Sequence, residues 1–223
     1  LNLQRAAEDH VRHHLAELNK AREDEPPHNV HNAAVVVLDT GDGSVRVLVG
    51  SPDYADSSIS GAVNAALSLR QPGSAIKPLT YAAALERGFT PATMVTDVRT
   101  AFATREGAPY VPVNYDYRYH GPVLLRQALA CSYNLVAVKV LDEIGVDALV
   151  DMARRMGISS LNDVERQGLS LTLGGMEVSL MELTAAYGTL ARGGALLQPK
   201  IIERIEDSQG RVLYRAPRQA AKQ

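Results

Sequence analysis

Ser74 and Lys77 stand three residues apart in Arg70-Gln71-Pro72-Gly73-Ser74-Ala75-Ile76-Lys77-Pro78. Residues at i and i+3 share a helix face, so an amine there can reach a serine hydroxyl and activate it as a nucleophile. The preceding Pro-Gly turn predicts a helix start, whose free N–H groups favour negative charge developing on a nearby substrate oxygen. Together these features suggest acyl transfer. The spacing alone is weak: 13 serines and 5 lysines in 223 residues produce about 0.3 Ser-x-x-Lys matches by chance. Its structural alternative is a serine N-cap followed by a solvated lysine. Pro78 lacks an amide hydrogen, so the first turn is expected to be irregular, with regular helix over Leu79–Arg87 and a stop at Gly88.

A second polar cluster, Ser132-Tyr133-Asn134, falls between two helical patterns, Val123–Ala130 and Leu135–Ile144, where a short loop would project side chains into a cleft. Ser132 could equally be a helix N-cap. Ser160-Leu161-Asn162 repeats the tripeptide, but in a polar stretch after the Gly157 helix stop, and reads as a decoy. Cys131 lies beside the motif without a histidine near in sequence, and is expected to be a small buried filler. His10 and His14, at i and i+4, and His28 and His31 lack a cysteine or carboxylate at a recognised ligand spacing. They read as solvated residues, so neither a metal nor a cofactor is expected.

The elements that must position these residues follow from periodicity. Leu3, Ala7, Val11, Leu15 and Leu18 form one face of an amphipathic helix predicted over residues 3–24 and ended by Pro26-Pro27. Ala33–Asp39 and Ser44–Gly50, joined by Thr40-Gly41-Asp42-Gly43, predict an antiparallel hairpin that this helix covers. Residues 90–122 read as a long ordered excursion with tyrosines at 110, 115, 117 and 119, serving either as a substrate-groove wall or as staples to the core. Asp147–Met156 and Met181–Arg192 are helical, and Lys200–Ile205 with Arg211–Tyr214 reads as a second hairpin. Strands near both ends and helices between them give an α+β fold, a helical lobe (approximately 61–195) inserted into an antiparallel-sheet lobe (approximately 1–60 and 196–223).

Bulk properties narrow the function. With 46% hydrophobic and 22% charged residues, the chain can bury a sizeable core. A net charge of −2 and a pI near 6.3 supply no basic field for nucleic acid. No apolar run approaches the roughly 20 residues a membrane helix needs. The single cysteine excludes an internal disulfide.

The order and content of several segments resemble the transpeptidase domain of bifunctional class A penicillin-binding proteins, of the 1A and 1C types. They are Leu3-Gln4-Arg5-Ala6-Ala7-Glu8, Ala33–Asp39, Val49-Gly50-Ser51-Pro52-Asp53-Tyr54, Arg70 to Pro78, Ser132-Tyr133-Asn134, Leu173-Gly174-Gly175-Met176-Glu177-Val178 and Ala185 to Gly194. The resemblance implies a β-lactamase/transpeptidase-like fold and a peptidoglycan D,D-transpeptidase. Ser74 would attack the penultimate D-alanine carbonyl of a stem peptide, with Lys77 as its base and Ser132 as a proton relay. Asn134 would hold the substrate backbone, and β-lactams would acylate Ser74. It further implies an extracytoplasmic location, with a membrane anchor and glycosyltransferase domain upstream in a longer parent.

One motif departs from the family. Each of the five lysines is followed by Ala, Pro, Val, Ile or Gln, so Lys-Thr-Gly or Lys-Ser-Gly is missing. The expectation is a piece of a longer protein, inactive by itself, with an incomplete sheet edge open to self-association. The same motifs leave a D,D-carboxypeptidase, a serine β-lactamase-like hydrolase and a noncatalytic penicillin-binding sensor or structural module as alternatives. A class A β-lactamase needs a Glu-x-x-x-Asn loop that Glu165-Arg166-Gln167-Gly168-Leu169 does not provide.

Overall fold

The computed structural model describes residues 2–21, 26–103, 107–161 and 168–217, which divide into two units: 1–69 with 179–223, and 70–178. The expectations for Asn162 and for Glu165-Arg166-Gln167 lie outside the described residues.

The first unit starts with α1 (Asn2–Leu18) lying on a hairpin of β1 (Val35–Leu38) and β2 (Val45–Val49). Val11 and Leu15 bury against Val47 and Val49, the alternate residues of β2, as the two periodicities require. The helix ends at Leu18 rather than near residue 24. Asn19 exchanges two hydrogen bonds with the Val30 backbone, its Nδ2 donating to Val30 O at 2.6 Å and its Oδ1 accepting from Val30 N at 3.0 Å. This local pairing offers the chain an alternative to another helical turn.

Strand β2 has its outer edge closed. Leu48 N donates to Gln4 Oε1 (2.9 Å), Gln4 Nε2 donates to Leu48 O (3.2 Å), and Val45 N donates to Lys200 O (2.9 Å). Because Leu48 faces outward, its register partner Val36 faces the opposite edge of β1, and no other described residue hydrogen-bonds its backbone there.

The helix Leu180–Ala191, which the sequence pattern groups with the middle helices, falls in this unit. It packs on β1 and its first turn bonds Ala66 O from Met181 N. Ser179 and Glu182 cap its start reciprocally. The second hairpin pairs Arg204–Glu206, shorter than the expected 200–205, with Val212–Arg215, one residue on from the expected 211–214, and is exposed at every residue.

The second unit is built around α4 (Asn134–Ile144), for which α2 is Lys77–Glu86, α3 is Leu125–Ala130 and α5 is Val146–Arg155. Leu135, Val136, Ala137, Val138 and Leu141 have no solvent exposure, so α4 is apolar nearly all round and lies inside. Each large side chain buried this way contributes about 1.5–3 kcal/mol. Helix α2, the 3₁₀ segment Gly168–Leu173 and β3 (Met94–Asp97) pack around it.

Strand β3 pairs with β4 (Gly121–Leu124). Val123 and Leu124, read from sequence as the start of a helix, are therefore strand, and helix begins at Leu125. The tyrosine question divides: Tyr110 packs on Phe102, Leu135 and Val138, whereas Tyr115 and Tyr117 are exposed.

Candidate active site

The irregular first turn expected from Pro78 is a 3₁₀ segment, Gly73–Ile76, that leads into α2 at Lys77. Gly73 takes φ +56°, which a side chain would oppose. Gly174, at φ +86°, lies against it so closely that a Cβ on Gly174 would fall 2.2 Å from Gly73 N. The Leu173-Gly174-Gly175 turn thus fixes the position of the backbone just before Ser74. Ser74 is exposed, and neither its hydroxyl nor its backbone N–H has a hydrogen-bond partner among the described residues. Lys77 N donates to Ser74 O and closes the turn.

Lys77 is the opposite case. At 1% exposure it is the largest fully buried side chain, and loss of hydration pushes its amine down to about 8. All three donors of its charged form have acceptors: Ser132 O at 2.7 Å, Ser132 Oγ at 3.0 Å and Asn134 Oδ1 at 2.7 Å. The amine therefore joins the two motifs through space, although it makes no hydrogen bond to Ser74. On losing a proton it can keep donating to Ser132 O and Asn134 Oδ1 while the Ser132 hydroxyl turns to donate to it, since a hydroxyl serves in either sense.

Ser132 lies in the three-residue turn between α3 and α4 with φ +55°, a strained conformation for a residue with a Cβ. The turn exposes Ser132 and also Cys131, which is therefore no buried filler: it caps the end of α3, its N–H bonding Gln127 O at 2.8 Å, with its side chain outside the core. Asn134, the first residue of α4, has both ends of its amide engaged, Oδ1 by Lys77 and Nδ2 donating to Val113 O at 2.8 Å.

The sequence reading did not find the polar group behind this turn. Asp97, with no exposed surface, accepts at Oδ2 from Asn114 Nδ2 (2.8 Å), His120 N (3.0 Å) and His120 Nδ1 (2.6 Å). Asn114 in turn accepts at Oδ1 from the backbone N–H of Asn134 (2.8 Å) and Leu135 (3.3 Å). The His120 ring stacks on Tyr133 at 4.0 Å, and its bond to Asp97, then the charge of Asp116, hold its pKa above the ordinary value. No periodic signal marks it: the alternation of Val111 and Val113 points the valines inward, whereas the structure buries Pro112 and Asn114 and exposes Val113.

Of the predicted residues, Lys77, Ser132 and Asn134 form one hydrogen-bonded group, with Ser74 one helical turn from Lys77. Ser160 is not part of that group, and among the described residues no cluster of His, Cys, Asp or Glu could hold a metal ion.

Residues 33–223 match the model of the penicillin binding protein transpeptidase domain. The chain is 37% identical to penicillin-binding protein 1A of Rickettsia bellii over 82% of its length and 23% of that protein, and 37% identical to penicillin-binding protein 1A of Escherichia coli over 83% and 21%. Among solved structures, penicillin-binding protein 1A of Haemophilus influenzae superposes with a TM-score of 0.76 at 32% identity, over 85% of this chain and 28% of that one. The PonA1 protein of Mycobacterium tuberculosis, solved with penicillin V, has the same fold at 23% identity and TM-score 0.76. The chain thus spans under a quarter of these two 1A sequences.

Proposed function

Because the chain belongs to the penicillin-binding protein transpeptidase domain family, we propose that it carries the nucleophile side of a peptidoglycan D,D-transpeptidase that β-lactams acylate. What carries this reading is Lys77: a buried amine, easily deprotonated, hydrogen-bonded to both members of the second motif and set one turn after an exposed serine. Neutral Lys77 takes the Ser74 proton as Ser74 Oγ bonds the penultimate D-alanine carbonyl carbon. The Ser74 N–H, unoccupied by any described carbonyl, donates to the developing oxyanion. Ser132 Oγ passes the proton to the departing terminal D-alanine nitrogen, leaving an acyl-enzyme. A second stem's amine then attacks that acyl carbon; its proton returns through Ser132 and Lys77 to Ser74 Oγ as the bond from the acyl carbon to Ser74 Oγ breaks, leaving the cross-link and the free serine. Asn134 exchanges one of its present partners for the substrate's amide backbone.

The same reading makes residues 1–223 the N-terminal and central part of one transpeptidase domain within a longer protein. That protein would be anchored in the cell membrane, with a glycosyltransferase domain upstream and its catalytic domain on the extracytoplasmic face. Among the described residues no helix is long and apolar enough to cross a membrane. The open backbone at Val36 supports pairing of β1 with a further strand, and in the isolated chain with a second copy. Sedimentation at rising concentration should show dimers of the isolated chain, and a strict monomer would remove that part of the proposal.

Labelling with a fluorescent penicillin tests the central claim. The full-length protein should label once per molecule and deacylate slowly, with the label on Ser74. Fast turnover would indicate a hydrolase instead. The isolated chain should label poorly, since its sequence holds neither Lys-Thr-Gly nor Lys-Ser-Gly; rapid stoichiometric labelling would show that motif to be dispensable.

A further inference from the structure

The turn carrying Ser132 and Asn134 is too short to hold a strained residue in place by itself, so something outside it must set its position. The candidates are the side chains that bond its backbone. Only one described side chain takes the first amides of α4: Asn114 Oδ1 accepts from Asn134 N at 2.8 Å and from Leu135 N at 3.3 Å. Its other end, Nδ2, donates to Asp97 Oδ2 at 2.8 Å and to Arg118 O at 2.8 Å. Asn114 is 2% exposed and Asp97 is fully buried, so neither bond can be replaced by bulk water. Asp97 Oδ2 also accepts from His120 N and Nδ1, whose Nε2 pairs with Asp116 Oδ2, while Asp97 Oδ1 has no partner. A buried carboxylate whose every hydrogen bond converges on one oxygen is an anchor aimed in one direction.

We infer that Asn114 is a positioning residue for the acyl-transfer site: its amide ties the buried Asp97 to the start of α4 and thereby fixes where Ser132 and Asn134 meet Lys77. This rests on the transpeptidase reading. The amide is required in both senses, one face accepting from the helix and the other donating to the carboxylate. Asn114→Asp keeps the shape and the acceptor face but sets two carboxylates about 2.8 Å apart. Protonation of that pair restores a donor toward Asp97, so this variant carries its own rescue at lower pH. Asn114→Ala has no such rescue. The remaining titratable neighbours, His120 and Asp116, are common to all three proteins.

The test is the rate of acylation by fluorescent penicillin in the full-length protein, measured from pH 5 to 9 with labelling followed to its end point. Asn114→Asp should slow acylation at pH 8 by about 10- to 100-fold, with the final stoichiometry unchanged. Its rate relative to wild type should climb as pH falls, while that of Asn114→Ala stays low and flat. Three results would overturn the role: wild-type rates in both variants, equal pH dependence of their relative rates, or a reduced stoichiometry whose labelled remainder reacts at the wild-type rate, which marks a purely structural residue. Should Asn114→Asp not fold, Asn114→Ala carries the rate and stoichiometry test alone. A wild-type protein that never labels would overturn the transpeptidase reading, and this role with it.

Discussion

The Lys77 pocket and the terminal hairpin at 204–215 treat their side chains in opposite ways. Around Lys77 a charged residue is buried among zero-exposure apolar neighbours and keeps every donor satisfied. In the hairpin, apolar residues stand in solvent: Ile205 is 44% exposed and Leu213 66%. The difference separates what the chain can organise by itself from what it cannot. The Lys77 pocket is preorganised, because α2 and α4 supply a closed core on which three hydrogen bonds converge. The hairpin has backbone pairing without a covered face, and two strands alone have little independent stability.

Four experiments press on that contrast, beginning with the most severe. Ser74→Ala in the full-length protein should abolish covalent penicillin labelling, a loss beyond about 1,000-fold, while thermal melting moves by no more than about 0.5 kcal/mol because the side chain is exposed. Residual labelling would place the nucleophile elsewhere.

Lys77→Met should slow acylation by about 100- to 10,000-fold. In the unaltered protein, if Lys77 is the proposed neutral base, the acylation rate should rise with pH and level off above about 8, the value to which burial lowers its amine. The same lowered value has a stability consequence of definite sign. Between about 8 and the ordinary 10.5 the folded chain has released a proton that the unfolded chain still holds, so stability should increase with pH across that window. Denaturant midpoints at pH 7.5 and 10 in wild type and Lys77→Met would expose the contribution as a difference between the two slopes.

Gly174→Ala tests whether the approach to Gly73 holds the nucleophile in place. A Cβ 2.2 Å from Gly73 N at a positive φ should cost about 2 kcal/mol in melting experiments and slow acylation by about 10-fold. A stable, fully active variant would mean the turn adapts. At the far end of the scale, Leu213→Thr should shift stability by less than about 0.5 kcal/mol in the isolated chain; a large loss would mean that the hairpin is better covered than its exposure shows.

Local patterns carried much of this fold into view. Alternating valines announced β1 and β2, the 3.6-residue spacing of Val11 and Leu15 announced the helix covering them, and Pro78 announced the irregular turn at Ser74. Long-range polar contacts were silent. Asn114 and His120 lie 17 and 23 residues from Asp97, which joins them, and nothing periodic links such positions. Their strands were hidden for a related reason, since four-residue β3 and β4 pair across a proline-rich excursion and carry no hairpin turn signal. Lys77 was read as a partner for Ser74, its neighbour in sequence, whereas its hydrogen bonds go to Ser132 and Asn134, more than 50 residues away. Cys131 was misread because composition predicts burial, while its place at the end of α3 decides exposure.

Ser132, with its φ of +55°, occupies a backbone position that glycine would fill at lower energy. Under the proposed role of Ser132 as proton relay, the residue present trades fold stability for a reagent. The exchange can be read out as two opposed slopes, since the residue that would relax the turn is also the one that removes the hydroxyl. Selecting variants of this chain for thermal endurance alone should therefore drift toward glycine at 132, and endurance and chemistry should part company there.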